Sequence, residues 1–91
     1  SFNQIAVIMK PLPAGCSISA KFKLNKDVSW KYGVTGNGAT VFSQENAVEA
    51  IFNTGQQANT YEVGIESNPS GNTSAGIIAV NTYIDKSGTE F

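Results

Sequence analysis

The side chains in this sequence that could do chemistry are few: some carboxylates, one thiol and a scatter of aromatic rings. There is no histidine, so the common general base and the commonest metal ligand are both missing. Ser-His-Asp and Cys-His nucleophile arrangements are therefore excluded within the chain. Glu62 and Glu66 fall on one side of an alternating segment. Four residues at ~3.3 Å each separate their Cα atoms by ~13 Å, whereas a glycosidase pair needs roughly 5–9.5 Å between carboxyls. They read as solvent-facing strand charges. Glu45 and Glu49 approach each other only on a helix, where they would form a solvated face. Gly33-Val34-Thr35-Gly36-Asn37-Gly38 has glycines but lacks the Lys-Ser/Thr and helix start of a phosphate loop. Asp27 with Asn25, or Asp85 with Asn81, supplies too few oxygens for a hard cation that takes six to eight ligands. Cys16 has no base beside it in sequence and reads as a small, partly buried residue. No catalytic, metal-binding or cofactor-binding residue is assigned, and the isolated domain is expected not to be an enzyme.

Binding is harder to dismiss than catalysis. Aromatic faces stack on the apolar faces of sugars while amides meet hydroxyls. Tyr32, Tyr61 and Tyr83 are the candidate ligand contacts for such a platform, which requires at least two of them side by side in solvent. Trp30 and Tyr61 lie on the apolar side of their own alternation, which favours packing for both. Trp30, the largest apolar side chain, is expected to plug the core.

The elements that would position these groups are read from periodicity. Ile18, Ala20, Phe22 and Leu24 alternate with Ser19, Lys21 and Lys23, the pattern of a half-buried antiparallel strand over 17–25. Before it, Ile5-Ala6-Val7-Ile8-Met9 is continuously apolar, which predicts a strand over 3–10 covered on both faces. Pro11 and Pro13 end that strand and Gly15 reverses the chain. Asn25-Lys26-Asp27 reads as a tight turn. Val28, Trp30, Tyr32 and Val34 alternate as a third strand, paired with the second and facing inward with it. A turn over 35–39 leads to a short strand at 40–43. Residues 44–53 fit both a helical spacing (Ala47, Val48, Ile51, Phe52) and a strand with Val48, Ala50 and Phe52 on one face; the strand is favoured because its flanks are strand-rich. A loop at 54–59 precedes a strand at 60–67 with Tyr61, Val63 and Ile65 inward. Asn68-Pro69-Ser70-Gly71-Asn72-Thr73-Ser74 is the strongest turn cluster, and a last strand runs over 75–84.

Six to seven short strands separated by turns indicate an all-β fold, a compact antiparallel β-sandwich. The 91 residues make one domain, with 1–2 and 86–91 expected as loose ends. Only 14% of residues are charged and the net charge is −1, against about 25% charged in ordinary domains, so the surface is covered by Ser, Thr, Asn, Gln and Gly. None of the six basic residues is an arginine and they are scattered, which disfavours a nucleic-acid partner. No apolar run approaches the ~20 residues of a helical membrane span. One cysteine excludes an internal disulfide framework. The chain starts at Ser1, and it is read as a domain excised from a longer polypeptide.

Several stretches together resemble a small β-sandwich domain of tail-associated and other structural virion proteins of tailed bacteriophages. They are the apolar opening at 5–9, the Pro11-Leu12-Pro13-Ala14-Gly15 turn and the alternating strand at 18–24. The short turn at 25–27, Trp30, and a closing hairpin made of 61–67, 68–74 and 77–83 complete the pattern. The resemblance covers residues 3–84. It implies a non-enzymatic structural module in a phage virion, at the tail or its tip, contacting other virion subunits and forming a homo-oligomer within the assembly. The alternative is a carbohydrate-binding or host-adhesion module that meets host-surface glycans. No catalytic residues are carried over from the resemblance.

Overall fold

A computed structural model describes residues 2–24, 27–58 and 60–84, with the side chains of Ala58, Thr60 and Tyr61 outside that set. It is all β: β1 (Phe2–Met9), β2 (Ser17–Leu24), β3 (Lys31–Tyr32), β4 (Glu49–Ala58), β5 (Thr60–Asn68) and β6 (Ile77–Tyr83). Two three-stranded antiparallel sheets face each other, ordered β4-β1-β6 and β3-β2-β5. The unbroken apolar run becomes the middle strand of the first sheet, with Ile5, Ala6 and Val7 all fully buried. The alternating strand becomes the middle of the second, with Ile18, Ala20 and Phe22 inward and Lys21 and Lys23 outward. No helix among the described residues is long and apolar enough to cross a membrane.

The connection between β1 and β2 is part of the core. Leu12, between two prolines that cannot donate to a ladder, is fully buried and exchanges backbone hydrogen bonds with Asn46 and Ala47. Gly15 takes φ 81° to turn the chain. Cys16 is buried, its Sγ lying 3.3 Å from the Thr73 carbonyl.

Residues 44–53 divide into a turn and a strand. Asn46 adopts φ 67°, a conformation that asparagine tolerates better than most residues, and β4 starts at Glu49. Ala50 and Phe52 then point inward, as a strand requires, with Phe42 edge-on to Phe52 at 6.4 Å. The expected loop at 54–59 is instead largely strand. Its looped character survives as a bulge: Gln4 pairs with Asn53 but Phe2 with Ala58, so 54–57 stand opposite Asn3 alone. The expected strand at 40–43 reduces to one bridge, Phe42 with Ile18. Phe2, expected in a loose end, opens β1 and is buried against the core. Its large apolar ring outweighs the fraying expected of a terminus.

The larger correction concerns residues 28–34. Lys21 pairs with Tyr32 and Phe22 with Lys31, and Gly33 N donates to Ala20 O at 2.8 Å. Directly opposed residues share a face, so Tyr32 and Trp30 lie outside with the lysines while Gly33 lies inside. Val28 is 94% exposed. The phase is one residue away from the expected one, and such a slip exchanges the faces. Space decides the matter. A Cβ at Gly33 would come within 2.8 Å of Phe52 Cβ, so the inner position opposite Ala20 has no room for an indole. Val34 then crosses to the other sheet, exchanging hydrogen bonds with Asn53 at 2.7 and 2.8 Å. The ladders therefore run β6-β1-β4, through Val34, to β3-β2-β5, and among the described residues the free ends of this path are β6 and β5.

The closing cluster is a turn, with Ser70 and Thr73 bridged and Gly71 at φ 60°. The turn after β2 is closed by Asp27 N to Leu24 O at 2.9 Å. Asn25, Lys26 and the tail at 85–91, with Asp85 in it, lie outside the described residues.

Candidate functional site

A group of polar side chains gathers on the outer face of β2, β3 and β5. Alternation sends Lys21 and Lys23 there from β2, Tyr32 from β3, and Glu62 and Glu66 from β5. Lys21 Nζ is 3.2 Å from Glu66 Oε2, and Lys23 Nζ is 3.8 Å from Glu62 Oε1. The Tyr32 hydroxyl donates to Glu66 Oε1 at 2.9 Å. Trp30 lies across the lysines, its ring centroid 4.5 Å from Lys21 Nζ and 4.9 Å from Lys23 Nζ. Gly64, opposite Lys21 on β5, keeps the face low enough for this. A Cβ there would stand 3.0 Å from Lys21 Cε and 3.6 Å from the indole.

The electrostatics are those of a closed network. The Glu66 hydrogen bond raises the Tyr32 phenol above its ordinary value, aided by desolvation and the carboxylate's charge. The same bond, then Lys21, lowers the Glu66 carboxyl. A carboxylate stabilised in its charged form is a poor general acid, and its lysine partner is already engaged. The face can pack, stack and hydrogen-bond. Glu62 and Glu66 behave as solvent-facing strand charges, each paired with a lysine.

A shallow depression of about 480 Å³ lies elsewhere, between the 35–44 segment and the start of β4. Thr35, Asn37, Phe42, Gln44, Glu49 and Ile51 help line it. Among the described residues its lining supplies one carboxylate, Glu49, and no second acid or base to work with it.

Of the tyrosines named from sequence, Tyr32 and Tyr83 are placed on different sheets. Tyr32 sits on the outer face described above, partly exposed. Tyr83 is on β6 of the other sheet, opposite Gln4. The Tyr61 side chain lies outside the described residues. The ring that does accompany Tyr32 is Trp30, two residues before it and on the same face. Sequence reading missed it as a surface group because the alternation was phased one residue out. The signal that could have found it is Gly33, the small residue whose absent side chain marks the crowded face. No protein family, curated protein or solved structure matches the chain.

Proposed function

We propose that this chain is a non-enzymatic structural and interaction module of a phage virion, associated with the tail or its tip. The observation that carries the reading is β6. This edge strand has no charged residue, yet Ile77, Ile78 and Val80, with Ile84 just beyond it, remain 38%, 63%, 39% and 49% exposed. Contiguous apolar surface on an edge strand is a place where another chain pairs. The resemblance of residues 3–84 to a virion sandwich domain gives that neighbour a setting, the particle. The carboxylates support the same reading, since Glu62 and Glu66 are tied to lysines rather than poised over a cleft.

The test is to locate the chain. Antibody labelling of purified particles of the encoding phage, viewed by electron microscopy, is expected to decorate the tail. Peptide quantification is expected to give a fixed number of copies per particle. Particles that lack the chain, or a parent gene outside any phage genome, would remove the reading.

Glycan binding is the second reading, and one observation favours it: Tyr32 and Trp30 share an outer face with amphipathic lysines. Tryptophan fluorescence titrated with host-surface oligosaccharides is expected to change only on this reading. A Tyr32→Ala variant must then abolish the change.

A further inference from the structure

We propose that the chain self-associates through β6, two copies pairing their β6 strands antiparallel about a twofold axis at Asn81. The partner is a second copy of this chain, and the inference rests on the assembly reading above while naming what occupies the edge.

Four features lead to that partner. First, the other edges are guarded or occupied. β5 carries Glu62 and Glu66, β3 carries Lys31, and β4 is bonded through Asn53 to Val34. Among the described residues no strand lies beyond β6. Second, the edge is complementary to itself. With Asn81 opposite its own mate, Val80 meets Thr82, Ala79 meets Tyr83, and Ile78 meets Ile84 at each end of the contact. The two most exposed isoleucines of the region, at 63% and 49%, thus cover each other twice. No charge opposes a like charge, because residues 77–84 carry none.

Third, the interior is unfinished on this side. Ile77 lies opposite Met9 and Val80 opposite Val7, both core residues. These β6 side chains therefore face inward but stay partly in water. A strand added beyond β6 brings its own inner side chains alongside them and continues the sheet as β4-β1-β6-β6-β1-β4. The ladder irregularity between Ile8 and Met9 leaves Ile78 as the bulged residue, so the regular pairing runs from Ala79 to Tyr83 and the Ile78–Ile84 contacts flank it. Fourth, the area places the contact among transient ones. Seven residues at ~3.4 Å give an edge about 24 Å long. A strip ~20 Å wide then buries on the order of 900 Å² in all, below the ~1,200–2,000 Å² of stable complexes. The dimer is weak in free solution. It fills when an assembly holds copies at millimolar effective concentration.

Sedimentation velocity on the isolated chain, from about 10 µM to 1 mM, is expected to show a monomer passing to a dimer and stopping there. Ile78→Lys is expected to raise Kd at least tenfold with an unchanged circular dichroism spectrum and melt. Val28→Lys, at a fully exposed site away from β6, is expected to leave Kd within twofold. Should Ile78→Lys fail to fold, Asn81→Cys serves instead. Mild oxidation is expected to give a disulfide-linked dimer, since the bond forms only between Cα atoms within ~7 Å. A monomer throughout the range overturns the proposal, as does growth beyond the dimer, equal weakening by Val28→Lys, or absence of the Asn81→Cys cross-link. Protection of β6 amides from exchange in a persistent monomer would show the edge covered by its own chain. These measurements use no particles, so a monomeric result leaves the labelling result standing, and unlabelled particles leave self-association standing.

Discussion

Trp30 and Gly33 exchange their effects on stability if the alternation of 30–34 is phased the other way, so two substitutions decide the register. With Gly33 inside, a new Cβ stands 2.8 Å from Phe52 Cβ. Phe52 is fully buried and cannot swing aside. Gly33→Ala is therefore expected to cost about 1–3 kcal/mol, the range for overpacking a filled core. Trp30→Ala removes two lysine–indole contacts, at ~0.5–1 kcal/mol each when exposed, and opens no internal cavity; about 1–2 kcal/mol is expected. With the opposite phase the indole would be core, and Trp30→Ala would cost ~3–5 kcal/mol. Gly33→Ala would then relieve an exposed strand of a glycine and stabilise by ~0.5–1 kcal/mol. Urea unfolding followed by circular dichroism measures both, provided the m value is unchanged. For a domain of this size 1 kcal/mol moves Tm by about 4–8 °C, so melts check the same ordering. A Trp30→Ala loss above about 3 kcal/mol, together with a neutral or stabilising Gly33→Ala, would refute the register.

Tyr32 and Glu66 give a pH prediction with two limbs. The Glu66 carboxyl is lowered in the fold, so its contribution is present above the ordinary 4.5 and lost as pH falls through the folded value. The Tyr32 phenol is raised, so its contribution is present below 10.0 and lost as pH rises through the folded value. Tyr32→Phe is expected to flatten both limbs of a Tm-versus-pH curve; an unchanged acid limb would mean that the hydrogen bond does not form. Leu12→Ala is expected to cost about 2–5 kcal/mol in urea unfolding, as for a strand core residue, because Leu12 is fully buried in its loop. A loss under 1 kcal/mol would make that loop a mere connection. Asn3 is buried with neither amide atom partnered among the described residues. Asn3→Val, which removes the desolvated amide, is expected to stabilise by ~1–2 kcal/mol, and a destabilised variant would show that the amide is satisfied.

The sequence made the two middle strands plain because each is patterned by its surroundings. β1 is apolar on both faces and β2 on one, and as middle strands they bury Ile5, Ala6, Val7 and Met9 together with Ile18, Ala20 and Phe22. The turn chemistry at Gly15 and Gly71 was equally readable, since both take positive φ. Less visible was anything fixed by a single contact between distant residues. The phase of 30–34 depends on Phe52 crowding Gly33, and the burial of Leu12 on hydrogen bonds to Asn46 and Ala47. Periodicity within one segment carries neither fact. The outer face was half legible for the same reason. The lysines and glutamates were placed by their own strands, whereas Trp30 joined them only through pairing with β2.

The placement of the apolar residues also explains why an edge, rather than a cleft, carries the functional reading. Strands β1, β2 and β4 contribute most of the core, and the path between the sheets closes through Val34 on the β3–β4 side. On the far side the second sheet ends at β5, whose Val63 and Ile65 only partly enter the core, while β6, among the described residues, is paired to β1 alone. A small domain has little apolar side chain to spare, and an edge strand normally carries a lysine, a proline or a strong bulge to deter pairing. β6 has neither lysine nor proline, and its one irregularity lies at its start. The sandwich is therefore already sealed where its own strands meet. Among the described residues the strip from Ile77 to Ile84 is the uncharged edge with apolar surface left to cover, and a second such strip is the simplest surface of matching length, chemistry and lack of charge.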